Sequence, residues 1–464
     1  MAFHSRRLKA ARVLSASDAT QALTADVENS VTSLAKDGAH LCVGLSGGVD
    51  SMVLLDVLIA IAPRHQWQVS AIHVNHQLNP HAPEWARFCR RFCRARGVPI
   101  RVVKVTVARG NSIEAAARAA RYAAYRAQPV DNIVLAQHQD DQAETVLLQL
   151  LRGAGVKGLA AMPVAREDSV RPGLRLLRPL LGVTRAQIER YATARELPWV
   201  EDDSNADTTY LRNFLRQDIM PRLETRAPAY RKTLSRAAGH QAEAAQLLDA
   251  LAVIDAHGGL NGGTLAVAAL QKLPAARARN VLRYFLAARD VLMPDARRLD
   301  EALRQVLTAK EDARVCIALG APGAQVLRRH AGVLHVVTTA PPVPAGFSRS
   351  WRDERRLNVP ELHAALEMRR RRGAGIALEL LLAKPVTLRL RRGGEKLQPD
   401  AARPRRAVKD LLQEQGVPPW RRERLPFLWS GNRLVWVAGL GVDCAFQARP
   451  GAPGVAPAWI EQAT

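Results

Sequence analysis

The sequence contains few cysteines, and they show no spacing pattern. Five are scattered over 464 residues, at Cys42, Cys89, Cys93, Cys316 and Cys444. This excludes a disulfide framework and predicts a reducing compartment. Cys89 and Cys93 are one helical turn apart, beside Phe88 and Phe92. A metal or redox pair is the alternative, but this placement favours packing in a core.

Long apolar runs are also absent. No stretch approaches the ~20 apolar residues that a membrane-spanning helix requires, so we expect a cytoplasmic protein with no membrane partner. The start of the chain carries Arg6, Arg7, Lys9 and Arg12, with no acid before Asp18. A transit peptide and a basic arm both fit this pattern, and we interpret it as a basic arm.

Acidic residues are scarce relative to basic ones. The chain has 67 Lys and Arg against 43 Asp and Glu, which gives a net charge of +24 and a pI near 10.9. A polyanionic partner, above all nucleic acid, is expected of such a charge. A general preference for arginine without any partner is the alternative. The basic residues also cluster, and this favours nucleic acid.

The most informative segment is Ser46-Gly47-Gly48-Val49-Asp50-Ser51, called the glycine loop below. It joins a short apolar run, 41–45, to a run with helical spacing. Adjacent glycines allow a tight bend that points successive N–H groups at one anion, and the helix dipole adds attraction. No Lys follows the second glycine and the pattern is not G-x-G-x-x-G, so a Walker A loop and a dinucleotide fingerprint are excluded. An ordinary helix-capping turn is the alternative.

A second segment, Gln137 to Glu144, is called the acidic segment below. It contains His138, Asp140 and Asp141 and follows an apolar run at 132–136. Asp141 and Glu144 fit a helix-capping pattern, which is a purely structural interpretation. Two adjacent Asp with a His and a Glu could also bind magnesium–phosphate, position an amine or act as a base. We favour a functional role because capping does not require all four side chains.

From about 40 to 200, strand and helix patterns alternate, which predicts an α/β fold with a doubly wound parallel sheet. The predicted strands are 41–45, 69–74, 100–107 and 132–136. Ligands of such sheets lie beyond the carboxyl ends of the strands, where the glycine loop and the acidic segment both fall. The expected organisation is a catalytic domain (1–225), a small mostly helical domain (226–340), a connecting segment (341–384) and a basic α+β C-terminal domain (385–464).

The strongest local excess of positive charge lies in residues 384–409. It begins with Val386-Thr387-Leu388-Arg389-Leu390-Arg391-Arg392, which alternates apolar and mostly cationic residues as a half-buried strand does. The cationic face could hold phosphates along an RNA stem, with Arg389, Arg391 and Arg392 as candidates for contact with RNA. Plain solubility is the competing interpretation.

The glycine loop resembles the PP-loop of ATP pyrophosphatases, which cleave ATP between the α- and β-phosphates. The wider set of motifs resembles the tRNA(Ile)-lysidine synthetase family over about 40–220 and again in the C-terminal region. The motifs that carry this resemblance are the glycine loop, His73-Val74-Asn75-His76-Gln77-Leu78, Glu114-Ala115-Ala116-Ala117-Arg118, Asp140-Asp141-Gln142-Ala143-Glu144-Thr145, Arg178-Pro179-Leu180-Leu181, Asp202-Asp203-Ser204-Asn205, Arg212-Asn213, Arg392-Gly393-Gly394-Glu395-Lys396-Leu397 and Pro418-Pro419-Trp420.

The resemblance implies a ligase that acts on tRNA(Ile) with a CAU anticodon. ATP would adenylate C2 of the wobble cytidine with release of pyrophosphate. The ε-amine of free L-lysine would then displace AMP and form lysidine. The implied cofactors are ATP, which is consumed as a substrate, and Mg²⁺. The sequence does not give the oligomeric state, and a homodimer is compatible with it.

The resemblance also implies roles for individual residues. The ATP-binding residues would be the whole glycine loop, Ser46, Gly47, Gly48, Val49, Asp50 and Ser51, together with Asn75 and His76. Asp50 would also lie near Mg²⁺, and Arg118 would offset charge on the α-phosphate, although solvation on a helix surface explains Arg118 equally well. Asp141 and Glu144 would receive the lysine ammonium. Arg212 and Asn213 would contact tRNA or nucleotide, and Arg389, Arg391 and Arg392 would bind tRNA. The family often has two histidines where this chain has Gln137-His138, so we place little weight on acid–base chemistry there.

Two other functions would explain part of the sequence. A tRNA thiolase would use the same nucleotide-binding domain, but it generally requires paired catalytic or cluster-binding cysteines, and Cys89 and Cys93 are poor candidates. A non-catalytic RNA-binding protein would explain the charge. It would leave the acidic segment unexplained.

Overall fold

The computed structural model describes residues 16–107, 113–201, 211–310, 313, 315–320, 325–339, 341–344 and 346–461. The predicted basic arm and the motif at 202–205 lie outside these residues. The chain divides into two units, 1–250 and 251–464. No helix in the described part is both long and apolar enough to cross a membrane.

The first unit alternates strands and helices. Its strands are β1 His40–Gly44, β2 Gln68–Asn75, β3 Ile100–Lys104, β4 Asn132–Val134, β5 Ala165–Glu167 and β6 Arg175–Leu177. Its helices are α1 Ala16–Thr32, α2 Val49–Ile61, α3 Ala82–Ala95, α4 Ile113–Arg126, α5 Gln139–Leu151, α6 Val156–Leu159, α7 Arg185–Ala194, α8 Leu211–Phe214, α9 Met220–Arg226 and α10 Tyr230–Asp255, with a π-helical turn at Leu215–Ile219 between α8 and α9.

The strands form one sheet in the order β3-β2-β1-β4-β6-β5. All neighbours are parallel except β5 and β6, so the predicted doubly wound sheet is confirmed. Strand β1 is central in the sheet and is covered on both faces. Leu41 and Val43 are buried in one core cluster, and Cys42, on the opposite face, is buried in another. The strand order reverses direction at β1. The loops after β1 and β4 therefore meet at the position where open α/β sheets bind ligands.

The second unit contains several smaller sheets. Its strands are β7 Leu260–Asn261, β8 Thr264–Ala266, β9 Cys316–Ala318, β10 Gln325–His330, β11 Val333–Thr338, β12 Ser348–Trp351, β13 Arg356–Val359, β14 Ala364–Arg372, β15 Ile376–Ala377, β16 Val386–Leu390, β17 Lys396–Leu397, β18 Arg406–Ala407, β19 Pro426–Ser430, β20 Arg433–Val437, β21 Gly441–Val442 and β22 Pro453–Glu461. Its helices are α11 Val267–Gln271, α12 Ala275–Ala287, α13 Ala296–Thr308, α14 Leu378–Leu382, α15 Val408–Glu414 and α16 Pro419–Arg422.

Helices α11, α12 and α13 share a core with the sheet β7-β8-β11-β10-β9. The periodic residues Val281, Leu282, Phe285 and Leu286 on α12 are fully buried in this core, as their spacing predicts. The region contains more strand than the mostly helical domain expected from the sequence. Short antiparallel strands such as β7 and β8 have too few residues to show a period of two.

The C-terminal strands form the sheets β12-β16-β19-β20-β21 and β13-β14-β22-β15. Strand β12 pairs with β16, and β14 pairs along its whole length with β22. Much of the expected connecting segment, 341–384, therefore belongs to the same sheets as the residues beyond 385. The sequence did not reveal this because β22, which pairs with β14 along its whole length, lies far along the chain, at residues 453–461.

Candidate active site

The glycine loop connects β1 to α2 and has a backbone that requires glycine at one position. Gly47 has φ of +97°, which L side chains rarely adopt, and a Cβ there would lie 3.3 Å from the Cys89 Sγ. Gly48 precedes the first residue of α2, and a Cβ there would meet no atom closer than 3.5 Å. Val49 packs its side chain into the core, so only its backbone is available to a ligand.

Hydroxyl groups bind the N–H groups of the glycine loop. The N–H groups of Ser46 and Gly47 both donate to Ser51 Oγ, at 3.1 and 3.2 Å, and Gly48 N–H donates to Ser46 Oγ at 3.2 Å. The two hydroxyls lie 3.0 Å apart, and Ser51 Oγ donates to the Gly48 carbonyl. Oxygen atoms of the protein therefore accept the hydrogen bonds that a phosphate would otherwise accept.

The acidic segment begins α5. The backbone N–H of His138 donates to Asp141 Oδ2 at 3.1 Å, so the capping role allowed by the sequence is present. It accounts for one oxygen of Asp141 and for none of Glu144, which is fully buried. Gln137 has a buried Oε1 with no hydrogen-bond partner among the described residues. Capping alone does not explain the segment.

His138 lies among three carboxylates and links the two segments. Its Nε2 is 3.4 Å from Asp141 Oδ2 and 3.7 Å from Asp50 Oδ1, and its Nδ1 is 3.7 Å from Asp140. Burial by itself lowers the pKa of His138. The nearby carboxylates of Asp140, Asp141 and Asp50 outweigh burial, so the pKa of His138 lies above its ordinary value.

Two arginines occupy the carboxylates that we expected to receive lysine. Arg212 Nε donates to Glu144 Oε1 and Arg216 Nε donates to Glu144 Oε2, the latter at 2.9 Å. Arg216 also donates to Asp141 at 3.0 Å. The sequence indicated Arg212 as a contact to tRNA or nucleotide, but it did not indicate Arg216. The spacing of four residues, which places both on one helical face, is the signal that could have indicated the pair.

Two further arginines, on helices α7 and α10, donate hydrogen bonds to Asp50 and Asp140. Arg185, the first residue of α7, donates its guanidinium to Asp50 Oδ2 and its backbone N–H to Asp140, both at 2.9 Å. Arg231 of α10 donates to the other oxygen of Asp140. Burial raises the pKa of Asp50, and His138 and Arg185 only partly offset that effect. No motif in the sequence indicates Arg185 or Arg231.

The remaining predicted ATP residues lie at the end of β2. Asn75 is buried, and its Oδ1 accepts from Gln77 N–H at 2.8 Å. His76 accepts from Arg121, and burial followed by Arg121 and His73 lowers the pKa of His76 to about 4. Arg118 instead donates to the Tyr122 hydroxyl at 3.1 Å. Among the described residues, no contact of Arg118 reaches the glycine loop, so its role on the α-phosphate stays a prediction.

The three C-terminal arginines have different surroundings. Arg389 lies over Trp429 and donates to Thr387 and to the Gly431 carbonyl. Arg391 is 4.0 Å from Glu395. Arg392 is exposed, and its guanidinium has no contact within the described part of the chain. Of the three, Arg392 is the most available to a ligand.

The residues of the site fit a magnesium ion only in combination with a substrate. Asp50 Oδ1 is buried and has no hydrogen-bond partner within the described residues. Those residues contain no group of three or more side chains that could hold a metal by themselves. Mg²⁺ usually binds one or two carboxylates together with phosphate oxygens and water, which agrees with a single carboxylate beside a phosphate-binding loop.

The comparisons with known proteins agree with this geometry. The family model described as PP-loop domain matches residues 19–223. The models described as TilS substrate binding domain and TilS substrate C-terminal domain match 265–335 and 386–459. The tRNA(Ile)-lysidine synthase of Nitrosomonas europaea is 44% identical over 91% of this chain and 92% of its own length. The chain belongs to this family. The synthases of Azoarcus sp. and Coxiella burnetii are 41% and 37% identical, over 91% and 89% of this chain and 92% and 91% of theirs.

Membership of the tRNA(Ile)-lysidine synthase family confirms the recognition based on motifs and decides against the thiolase and the non-catalytic alternatives. Among solved structures, the U34-tRNA thiolase of Methanococcus maripaludis aligns with 48% of this chain and 80% of its own, at 18% identity. The TM-score of this alignment is 0.42.

The burial of three cysteines leads to a prediction about their reactivity. Cys42, Cys89 and Cys93 are free and buried, and burial raises their pKa values to about 11, 12 and 11. The thiolate is the reactive form, so a raised pKa slows alkylation. We expect iodoacetamide at pH 8 to label the exposed Cys316 in the native protein well before these three. Peptide mass spectrometry measures this, and rapid labelling of Cys89 or Cys93 would contradict the described burial.

Proposed function

We propose that the chain uses ATP to ligate free lysine to C2 of the wobble cytidine of tRNA(Ile) with a CAU anticodon. Membership of the family supports an ATP-dependent ligase that forms lysidine on tRNA(Ile). The observation that carries the chemistry is the pair of carboxylates, Asp141 and Glu144, which accept hydrogen bonds from arginine side chains. Asp141 also shares His138 with Asp50 of the glycine loop. A cytoplasmic location and a homodimer stay predictions.

The glycine loop would bind the phosphates that leave as pyrophosphate. Bound phosphate oxygens would replace the Ser46 and Ser51 hydroxyls as acceptors for the N–H groups of Ser46, Gly47 and Gly48. The freed hydroxyls would then donate to the same oxygens. These donors are fixed by the backbone before ATP arrives, so little reorganisation is needed as charge develops on the leaving group.

Asp50 Oδ1 would hold Mg²⁺, which when bound neutralises part of the phosphate charge. Arg185 fixes the second oxygen of Asp50, and thereby the direction of the first. Asn75 and His76, at the end of the neighbouring strand, would lie beside the adenosine. The low pKa of His76 keeps its imidazole neutral, so His76 adds no positive charge there.

Asp141 and Glu144 would receive the lysine ammonium. In the structure two guanidinium groups lie on these carboxylates, and this supports a site selective for a cation. Lysine would replace at least one guanidinium, and the carboxylates would orient the nitrogen towards C2. Loss of a proton from that nitrogen produces the nucleophile, and His138, in contact with Asp141, is placed to participate in proton transfer.

The replacement of guanidinium by ammonium gives a prediction for Arg216→Gln. Glutamine removes a competing charge and retains a hydrogen-bond donor, while Arg212 still pairs with Glu144. We expect the KM for lysine to fall about fivefold, equivalent to roughly 1 kcal/mol for a partly exposed ion pair, with the KM for ATP unchanged. Steady-state kinetics with varied lysine measure this. An increase in the lysine KM would show that Arg216 supports the site instead of competing for it.

The exposed Arg392 gives a second prediction, on tRNA binding. Arg392→Ala should weaken binding and reduce the slope of log K against log salt by about 0.9, the value for one phosphate contact. Arg389→Ala should mainly lower stability, because Arg389 packs on Trp429 and bonds to the Gly431 carbonyl. Filter binding at several salt concentrations tests the first statement and thermal unfolding tests the second. Equal effects of the two variants on the salt slope would contradict the distinction.

The function itself is tested by product release. With CAU-anticodon tRNA, ATP and lysine, AMP and pyrophosphate should appear in equal amounts, and labelled lysine should become attached to the tRNA. Without lysine, release of AMP should stop. Continued AMP release at the same rate without lysine would exclude lysidine formation.

A further inference from the structure

In the second unit, the hairpin of β10 and β11 meets helix α16 around one tryptophan. The Trp420 ring lies edge-on to His330 and His335, with ring centroids 5.9 and 5.3 Å apart. The Arg328 guanidinium carbon lies 5.2 Å from the Trp420 ring centroid. Arg421 and Arg422 follow Trp420 directly. These side chains are called the junction cluster below, and they are Arg328, His330, His335, Trp420, Arg421 and Arg422.

The arginines of the junction cluster have no counter-charge. Within the described residues, Arg328, Arg421 and Arg422 form no ion pair with a carboxylate, whereas Arg277 and Arg304 of the same unit pair with Asp255 and Glu301. The buried Nε of Arg328 has no hydrogen-bond partner there. Arg422 is buried and donates its Nε only to the Val417 carbonyl. Buried charge without a partner is costly, so such a cluster points to an anion.

The pKa shifts agree with uncompensated positive charge. Burial and then Arg422 lower the pKa of His330, against a weaker opposite effect of the Gly416 backbone. Burial, His330 and Arg421 lower the pKa of His335. Burial and Arg391 lower the pKa of Arg422. The side chains that shift these pKa values, which are Arg391, Arg421, Arg422 and His330, are all basic.

We propose that the junction cluster binds a phosphate group of the RNA backbone. Guanidinium groups present planar N–H donors that match phosphate oxygens, and an adjacent tryptophan offers a surface on which a base can stack. The cluster joins residues from the two matched substrate domains, since β10 lies in 265–335 and α16 in 386–459. The inference rests on the proposed function in that the RNA is taken to be the tRNA substrate.

The test compares two double variants of the full chain that remove the same charge. Arg328→Gln with Arg421→Gln alters the junction cluster. Arg352→Gln with Arg449→Gln alters two exposed arginines of the same unit that form no ion pair in the described residues. Relative to the control, the junction variant should bind CAU-anticodon tRNA about tenfold more weakly. Its slope of log K against log salt should be lower by about 0.9. Equal affinity and slope in the two variants would overturn the proposal.

The effect of inorganic phosphate on thermal unfolding is a second measurement, and it separates anion binding from a purely structural role. Without added anion, the junction variant should be at least as stable as the control, because it loses repulsion between cations. Inorganic phosphate should raise the Tm of the control more than that of the junction variant. Stabilisation by inorganic phosphate together with unchanged tRNA affinity would identify a site for a free anion and overturn the RNA proposal. A junction variant that is less stable than the control without anion would show that the arginines serve the fold instead.

The proposed function and this inference fail separately. At saturating tRNA, the junction variant should form lysidine at the rate of the control, because none of its altered residues belongs to the candidate active site. A wild-type chain that forms no lysidine, with tRNA affinity that still depends on the junction cluster, would refute the proposed function and support the phosphate site.

Discussion

Glu144→Gln is expected to reduce lysine transfer about 10²–10⁴-fold while pyrophosphate release in the absence of lysine continues. Glu144 is fully buried and accepts from both Arg212 and Arg216, so the carboxylate has no solvent to replace its partner. A lysine ammonium held against this buried carboxylate would be left without its partner, which corresponds to about 3–5 kcal/mol. An uncharged amide would not retain the ammonium of lysine, whereas the glycine loop would be unaffected.

Labelled lysine incorporation and single-turnover pyrophosphate release separate the two half-reactions in this variant. Glu301→Gln is a matched control, because Glu301 is also a carboxylate bonded to an arginine, Arg304, but is exposed on α13. Thermal unfolding identifies any general loss of fold. A folded Glu144→Gln variant that transfers lysine at the wild-type rate would remove Glu144 from the lysine site.

Gly47→Ala is expected to weaken ATP binding at least 100-fold. A side chain at φ of +97° costs about 1–2 kcal/mol in strain, and its Cβ would press on the Cys89 Sγ at 3.3 Å. The loop would have to shift, and the N–H groups of Gly47 and Gly48 would no longer point to one anion. Gly38→Ala is the matched control, since Gly38 has φ of +76° and open space around its Cβ position.

Both glycine variants should lose similar stability through backbone strain, but only Gly47→Ala should lose ATP. Isothermal titration with a non-hydrolysable ATP analogue and thermal unfolding distinguish the two effects. Unchanged ATP affinity in Gly47→Ala would show that the glycine loop tolerates a different backbone and that its N–H groups are not the main phosphate donors.

The sequence predicted the parallel sheet and the meeting of the glycine loop with the acidic segment for a clear physical reason. Strands such as β1 are buried on both faces, so their apolar runs are continuous, and the carboxyl ends of parallel strands lie at one edge. Local sequence patterns were therefore enough to predict the sheet and the position of both segments at one of its edges. The roles of Asn75, Asp141 and the other named residues remain predictions, although the structure does bring Asp50 and Asp141 to the same histidine.

The sequence did not reveal the arginines that surround these acids. Arg185, Arg216 and Arg231 lie on three later elements, and their positions depend on how α7, the π-helical turn and α10 pack against α5. An arginine on a helix has the same local pattern whether it faces solvent or a buried carboxylate. In a chain with 67 basic residues, composition could not single them out. The extension of the C-terminal sheets into 348–384 was missed for a related reason, because strand pairing is not local.

The hydroxyl groups that bind the N–H groups of the glycine loop have a consequence for ion selectivity. An incoming anion gains only the difference between its own hydrogen bonds and those to Ser46 and Ser51 that it replaces. Chloride, with one charge and no oxygen atoms, gains little from this exchange. A polyphosphate chain gains more, because several oxygens accept at once and the released hydroxyls become donors to them. We therefore expect the loop to discriminate against chloride before any contact with the adenine is made.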